Sequence, residues 1–218
     1  MKLLVITLHA DPTIHPGAEE GGGTHMYVNE IINLLIYRQV PSLFITRKAS
    51  LGNDFFDYGC VKVKRIKLGP EEQWDKSNLE EREDEINRLI EQELIRYQFR
   101  PTLIHSIYWY SGRSAIWFSN MYSIPFIHTI ISNGIRKESS GFNVSENQII
   151  AEKEIFQKAA TLISVSKQEK RDLEEHYNVE SQKIKVIGRG VDNIFLNSLY
   201  DAKGALIAKM APDVFREK

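Results

Sequence analysis

The feature that most constrains this 218-residue chain is an alternation of short apolar runs with longer amphipathic stretches. The run at 3–8 is apolar almost throughout, which is typical of a central strand buried on both faces of a sheet, and those at 42–46 and 161–165 are further short strands. The stretch that follows Gly21–Gly23 repeats apolar residues at helical spacing. Strands that alternate with helices build a parallel sheet with helical crossovers. The sequence therefore predicts one doubly wound, mostly parallel, Rossmann-like α/β domain of about six or seven strands.

The predicted elements follow one another along the whole chain. Strands are predicted at 3–8, 42–46, 61–68, 102–106, 125–130, 161–165 and 183–187. Helices are predicted after the three glycines and at 79–99, 114–122, 146–158, 166–177 and 202–210, with a long loop at 132–145. The strand at 61–68 alternates apolar with basic residues, which predicts a sheet edge with one solvated face. Since ligands bind at the carboxyl ends of such strands, residues that follow the strands are the candidates for a functional site.

Composition excludes several classes of function. The formal net charge is −1, so no global basic character predicts a nucleic-acid partner. Cys60 is the only cysteine in the sequence, which rules out an intrachain disulfide and a multi-cysteine metal site. The apolar start is interrupted at His9 and Asp11, and no run of about 18 apolar residues occurs, so we expect no signal peptide, no transmembrane helix and a cytoplasmic location. No third ligand lies near His9 and Asp11, so we expect no metal and no other cofactor.

A glycine triplet, Gly21, Gly22 and Gly23, precedes the first predicted helix. Glycine lets the backbone approach a ligand closely, and the free amides of a helix's first turn attract an anion such as a diphosphate. The alternative is a loop that needs positive φ angles and binds nothing. The triplet matches neither the dinucleotide fingerprint nor the P-loop, so both interpretations stay open.

Three aromatic residues, Tyr108, Trp109 and Tyr110, follow the strand at 102–106. Each has a flat apolar face and, at its rim, a polar group, which suits stacking on a sugar ring. The alternative is that one or two of them only fill the core.

His128 lies near the end of the strand at 125–130, and Arg136 and Lys137 follow in the predicted loop. A histidine at a strand end is able to act as a base or to hydrogen-bond a hydroxyl group. The alternative for His128 is a core histidine whose ring nitrogens are satisfied by neighbouring groups.

Each motif is weak alone, but their order along the chain is specific. The ordered elements are Gly22-Gly23 with Tyr27-Val28 and Glu30, Thr46-Arg47, His105 with Tyr108-Trp109 and Ser111-Gly112, Ile124-Pro125 with His128-Thr129, Glu152 with Ile155 and Ala159, Ser166 with Glu169, Leu173 and Tyr177, and Lys183-Ile184 with Gly190-Val191-Asp192 and Phe195. In this order they resemble the N-terminal domain of the retaining, two-Rossmann-domain (GT-B) glycosyltransferases typified by sucrose-phosphate synthase and the mycothiol-pathway N-acetylglucosaminyltransferase. The resemblance covers residues 1–196, and 197–218 is expected to be a tail that leads to a donor-binding domain.

The resemblance implies a division of labour between two domains. The N-terminal domain of the family binds the acceptor, and the C-terminal domain binds a nucleotide-sugar, whose hexosyl group passes to an acceptor hydroxyl with retained configuration. The implied partners are therefore an acceptor carbohydrate or small hydroxylated molecule, and a nucleotide-sugar held by a second domain or chain. The resemblance implies donor-diphosphate binding by Gly22 and Gly23. From their positions at strand ends and in loops, we expect catalysis by His128 and acceptor or sugar binding by His25, Tyr108, Trp109, Arg136 and Lys137.

The sequence departs from the family pattern at three positions and in length. Ile131 replaces a histidine that usually follows the His-Thr element, Gln148 replaces an arginine, and Arg189 replaces a proline. Only 26 residues follow Asp192, so the donor-binding half is absent from the sequence. The isolated chain is therefore expected to be inactive, as a piece of an enzyme, one chain of a split enzyme, or a relic.

Two other hypotheses stay open at this point. The chain is alternatively a non-catalytic acceptor-binding or regulatory subunit of glycosyltransferase descent, because Ile131 cannot hydrogen-bond a donor sugar. The third hypothesis is an unrelated doubly wound binding domain, which the ordered motifs disfavour.

Overall fold

The computed structural model describes residues 1–14, 22–70 and 76–189. The strands in these ranges are Leu3–Ile6 (β1), Ser42–Arg47 (β2), Phe55–Tyr58 (β3), Val61–Ile66 (β4), Leu103–Ile107 (β5), Phe126–Thr129 (β6), Thr161–Ser164 (β7) and Ile184–Val186 (β8). The α-helices are Gly23–Tyr37 (α1), Glu83–Arg96 (α2), Trp109–Tyr122 (α3), Gly134–Ser139 (α4), Glu146–Lys158 (α5) and Lys167–Tyr177 (α6). Short 3-10 turns occupy Lys76–Arg82 and Ser181–Lys183.

The eight described strands form one sheet in the order β3-β4-β2-β1-β5-β6-β7-β8. All of its strand pairs are parallel except β3 with β4. The order of the strands reverses at β1, because β2 and β4 extend the sheet on one side and β5 to β8 on the other. Such a reversal opens a crevice at the carboxyl ends of the two central strands, where ligands bind. The prediction of a single doubly wound, mostly parallel α/β domain is confirmed.

Both faces of the central strand are buried, which explains its uninterrupted apolar sequence. Leu4 and Ile6 pack into the cluster formed with α2, α3 and α5, whereas Leu3 and Val5 pack into the cluster under α1. This period of two follows from the pleat of a β-strand. The described residues up to 187 form one compact unit around these two clusters.

The prediction that the strand at 61–68 forms a sheet edge was wrong. β4 lies inside the sheet, because β3 pairs along its outer side. Its basic residues pair within the protein and not with solvent alone: Lys62 donates to Asp57 at 2.5 Å, and Arg65 donates to Asp11 at 2.8 Å. The alternating basic residues of β4 therefore mark positions that pair with acidic residues of the protein, and not a solvated edge of the sheet.

Two helix boundaries also differ from the prediction. α3 begins at Trp109 and not at 114, because Tyr108 turns the chain sharply and its carbonyl accepts from the amides of Ser111 and Gly112. α4 lies inside the predicted loop at 132–145, where the side chain of Asn133 caps it. The predicted helix at 202–210 and the boundary at 196 lie outside the described residues. No described helix has the length and apolarity needed to cross a membrane.

Candidate functional site

Among the described residues, none covers the start of α1 at Gly22. Gly22, the N-cap, has a φ of −96°, and a Cβ built there would meet no atom within 4 Å. Neither backbone strain nor packing therefore requires glycine at this position. The amides of Gly23 and Thr24 have no acceptor among the described residues. An open helix N-terminus with free amides is suited to an anion such as a diphosphate.

His25 supports this helix start from within. Its side chain is buried, and its Nδ1 accepts a hydrogen bond from the Gly22 amide at 3.2 Å. The imidazole thus fixes the backbone next to the open amides. The sugar-binding role predicted for His25 stays a prediction, and its contact with the Gly22 backbone is a contact that the sequence did not indicate.

Tyr108 and Lys137 come together at the topological switch point. Tyr108 directly follows β5, and its ring lies 4.6 Å, between centroids, from that of His9, which follows β1. The Lys137 ammonium donates to the Tyr108 hydroxyl at 2.7 Å and lies 4.9 Å from the ring centroid. Tyr108 also has a φ of +67°, a conformation that non-glycine residues rarely adopt and that clusters at functional sites. The crevice therefore contains a fixed cation beside an aromatic ring.

The three consecutive aromatics differ in exposure. Trp109 is 2% exposed and belongs to the core, and its Nε1 has no hydrogen-bond partner within the described ranges. Its ring packs on Tyr110 with centroids 3.9 Å apart. Trp109 therefore offers no open ring face to a sugar in this structure. Tyr108 and Tyr110 are half-buried and retain partly open rings.

A buried polar network lies beneath the site. His105 Nε2 pairs with Thr129 Oγ1 at 2.8 Å, Ser106 Oγ pairs with His128 Nδ1 at 2.8 Å, and the Tyr27 hydroxyl reaches Thr129 at 3.4 Å. Burial lowers the pKa of His105 to about 4. Burial, with a smaller effect from His105, lowers the pKa of His128 to about 3. Both imidazoles are therefore neutral near neutral pH, and His128, 1% exposed, is placed to orient its neighbours.

The contact between Tyr27 and Thr129 also shows at which edge of the sheet α1 begins. This residue lies one turn into the helix and reaches Thr129 at the carboxyl end of β6. The open N-terminus of α1 therefore lies at the same edge of the sheet as Tyr108 and Lys137.

A buried carboxylate anchors the helix that carries Lys137. Glu152 Oε2 accepts from the Gly134 amide at 2.8 Å and from the Tyr177 hydroxyl, and its Oε1 accepts from Gln148 at 2.7 Å. The Tyr177 oxygen in turn accepts from the Ile135 amide at 3.2 Å. Burial raises the pKa of the Glu152 carboxyl in spite of these hydrogen bonds. Sequence reasoning placed Glu152 and Tyr177 in ordered motifs but assigned them no role.

The remaining sequence candidates lie elsewhere. Arg136 points to solvent, with its guanidinium 3.4 Å from Asp172, and it does not join Lys137. Ile131 packs partly against the cluster under α1. Asp11 is committed to Arg65 by a buried ion pair. Across the part of the chain that the structure describes, no group of three potential ligands is arranged to hold a metal.

Comparisons with known proteins agree with this architecture. Residues 22–190 match the family model described as the glycosyl transferase 4-like domain. The chain belongs to this family. The matched domain therefore covers most of the described residues.

Named relatives are similar over most of the chain but extend well beyond it. The D-inositol 3-phosphate glycosyltransferase of Paenarthrobacter aurescens (strain TC1) is 26% identical over 226 residues, which covers 96% of this chain and 53% of the relative. The enzyme of the same name from Corynebacterium glutamicum (strain R) is 27% identical over 199 residues, covering 88% and 47%. The chain thus spans about half the length of the curated relatives that it matches.

Solved structures show the same fold. The sucrose-phosphate synthase of Thermosynechococcus elongatus superposes with a TM-score of 0.80 at 23% identity, covering 94% of this chain and 52% of that chain. The catalytic domain of starch synthase IV from Arabidopsis thaliana, bound to ADP and acarbose, superposes with a TM-score of 0.65 at 14% identity, covering 92% and 54%. The fold is therefore that of one half of a GT-B glycosyltransferase.

Proposed function

We propose that this chain is the acceptor-binding half of a retaining glycosyltransferase, which transfers a hexosyl group from a nucleotide-sugar to an acceptor hydroxyl. Transfer requires a donor-binding domain from a second part of the protein or from another chain. The acceptor is a carbohydrate or a small hydroxylated molecule, and neither nucleic acid nor a metal takes part. We also propose a cytoplasmic location, which the single cysteine, Cys60, supports.

This proposal rests on the polar and aromatic groups that lie together at the switch point. The open start of α1 at Gly22 supplies free amides, and Lys137 supplies a cation held at 2.7 Å from the Tyr108 hydroxyl. The amides stabilise the negative charge that develops on a leaving diphosphate, and the Lys137 ammonium can donate hydrogen bonds to an acceptor oxygen. Aromatic and hydroxyl groups beside them suit a polyhydroxylated acceptor.

In the proposed mechanism this chain positions the acceptor and stabilises charge. Gly22 and Gly23 approach the donor diphosphate, while Tyr108 and Lys137 bind oxygen atoms of the acceptor. His128 acts as a neutral positioning residue, because a buried imidazole with a pKa of about 3 does not accept a proton readily near neutral pH. The rate gain then comes mainly from holding the two reactants in attack geometry.

One observation favours a second candidate function. Ile131, where the family usually has a histidine, offers only a hydrocarbon side chain, and it packs partly into the cluster under α1. A non-catalytic subunit would keep the acceptor site and lose the donor-sugar contact. The alternative proposal is therefore an acceptor-binding or regulatory subunit.

Site variants test the main proposal in the chain joined to its donor-binding domain. We expect Lys137→Met to lower kcat/KM for the acceptor by about 10- to 100-fold, since a charge-assisted hydrogen bond is lost. Tyr108→Phe should have a smaller effect of the same sign, because only the hydroxyl is removed. Lys153→Met is the matched control, because Lys153 is exposed on α5.

The outcomes separate the two functions. Loss of transfer in Lys137→Met with full transfer in Lys153→Met supports the acceptor site. Equal transfer in both variants contradicts it. Acceptor binding without transfer by the assembled wild-type protein supports the regulatory alternative.

A further inference from the structure

A groove lies on the α1 side of the sheet, between α1 and the segment that connects β2 to β4. Its volume is about 790 Å³, within the range of about 300–1,000 Å³ that is typical of sites for small ligands. Asn29, Asn33 and Ile36 line it from α1, and Asn53 and Tyr58 line it from the connecting segment and β3. None of these residues belongs to the site at the switch point.

Three carboxamide side chains line this groove, those of Asn29, Asn33 and Asn53. None of the three has a hydrogen-bond partner among the residues that the structure describes. Asn29 and Asn33 are one helical turn apart and therefore share a face of α1. Each carboxamide offers two donors and an acceptor oxygen. The groove thus presents solvent-accessible neutral groups that complement ring hydroxyls.

Aromatic surface lies beside these amides. Phe56 and Tyr58 are two residues apart in β3, so they point to the same side of the strand. Phe55 points to the other side and stacks on Tyr97, with centroids 5.1 Å apart. The Tyr58 side chain is 47% exposed. A partly exposed ring next to free carboxamides provides both surfaces that a sugar needs, one for its CH face and one for its hydroxyls.

The described residues that line the groove carry no free charge. Arg65 is the charged residue in its lining, and its Nε donates to Asp11 at 2.8 Å in a buried ion pair. The remaining guanidinium nitrogens donate to the Ser50 carbonyl at 2.7 Å, the Ser50 hydroxyl at 2.6 Å and the Asn53 carbonyl at 2.8 Å. Arg65 is therefore used to hold the wall of the groove in place, and the preformed lining favours a neutral ligand.

The groove begins near the carboxyl end of β1. Pro12 and Thr13, which line it, follow that strand and so lie near the edge that carries the site at the switch point. An acceptor that reaches into the groove would extend away from this site along α1. We propose that the groove binds a neutral sugar residue of the acceptor, which makes the acceptor an oligosaccharide or glycoside. That the bound sugar belongs to an acceptor rests on the proposed function, whereas sugar binding by the groove does not.

Titration of the 218-residue chain with neutral trisaccharides tests this proposal. The probes are maltotriose, cellotriose and mannotriose, with glucose 1-phosphate as an anionic comparison, and the readout is the side-chain NH₂ signals of the three asparagines in ¹⁵N-resolved NMR. We expect at least one trisaccharide to shift these signals with a dissociation constant of about 1 mM. The double variant Asn29→Ala/Asn33→Ala should weaken that binding about tenfold or more, since two hydrogen bonds are lost.

The titration has one control variant and three outcomes that would contradict the proposal. Asn120→Ala removes an exposed carboxamide from α3 and should leave binding unchanged. Absence of shifts with every trisaccharide, tighter binding of glucose 1-phosphate, or unchanged binding by the double variant would each overturn the proposal. Trisaccharide binding combined with failure of the assembled protein to transfer sugar would overturn the enzymatic assignment and leave the groove as a glycan site.

Discussion

Acid should destabilise this domain through His105 and His128. Burial lowers the pKa of His105 from 6.5 to about 4, and burial together with His105 lowers that of His128 from 6.5 to about 3. Both folded pKa values lie below the unfolded value, so the unfolded chain binds protons first as the pH falls. The stability that depends on neutral imidazoles is therefore present above about pH 6.5 and is lost progressively below it.

The size of this loss of stability follows from the lowered pKa values of the two histidines. Each pH unit below the unfolded pKa costs about 1.4 kcal/mol for one histidine, until the folded pKa is reached. From about pH 7 to about pH 5, each histidine costs about 2 kcal/mol, and the pair costs about 3–4 kcal/mol. This loss is a large part of the about 5–15 kcal/mol that stabilises a typical domain.

Urea unfolding at about pH 7 and about pH 5 measures this loss. His128→Asn keeps a neutral partner for Ser106 but cannot titrate, so it should lose only about half as much stability between the two pH values as the wild-type chain. His176→Asn is the control, because His176 is exposed on α6, and it should lose as much as the wild type. If His128→Asn also loses as much as the wild type, then His128 is not buried as a neutral group.

Three further predictions concern packing, the Glu152 network and the donor. Gly112→Ala should cost about 1–3 kcal/mol of unfolding free energy, because its Cβ would lie 2.5 Å from Ile155 Cδ1, and adding Ile155→Val should recover part of that cost in urea unfolding. Glu152→Gln should cost about 1–3 kcal/mol and increase hydrogen exchange at the Gly134 amide, since an NH₂ group replaces an acceptor; unchanged exchange would contradict the network. The isolated chain should bind UDP-, ADP- or GDP-sugars more weakly than micromolar, because the Gly22-Gly23 amides are worth only about 1 kcal/mol, and calorimetry that gives a micromolar constant would refute this.

The sequence predicted the central part of the fold well because that part depends on local pattern. The apolar run at β1 indicated a central strand buried on both faces, which the structure confirms, and the runs at β2 and β7 indicated strands that the structure contains. β3 was not predicted, and β4 was assigned to the wrong place in the sheet. β4 lies inside the sheet because β3 pairs along its outer side, and its basic residue Arg65 pairs with Asp11, 54 positions away, and not with solvent. No local pattern encodes a partner at that distance.

The sequence placed Tyr108 at the carboxyl edge of the sheet, where the structure has it, but did not predict its contacts. Residues that follow strands were chosen as candidates, and Tyr108 meets Lys137 there because α4 brings the Lys137 ammonium to the Tyr108 hydroxyl. α4 itself was not predicted, since its stability depends on the Asn133 cap and on Glu152 in a later helix. The burial of Trp109 was not predicted either, because it depends on tertiary packing in the core and a strand-end position alone does not distinguish a core ring from a stacking platform.

A radiolabelled transfer assay tests the central claim most directly. The isolated chain and the chain joined to its donor-binding domain are each incubated with labelled nucleotide-sugars and a panel of hydroxylated acceptors. We predict no transfer by the isolated chain, because one wall of the cleft cannot hold both reactants in attack geometry, and transfer by the joined protein. Transfer by the isolated chain, or no transfer by a joined protein that binds both donor and acceptor, would contradict the account.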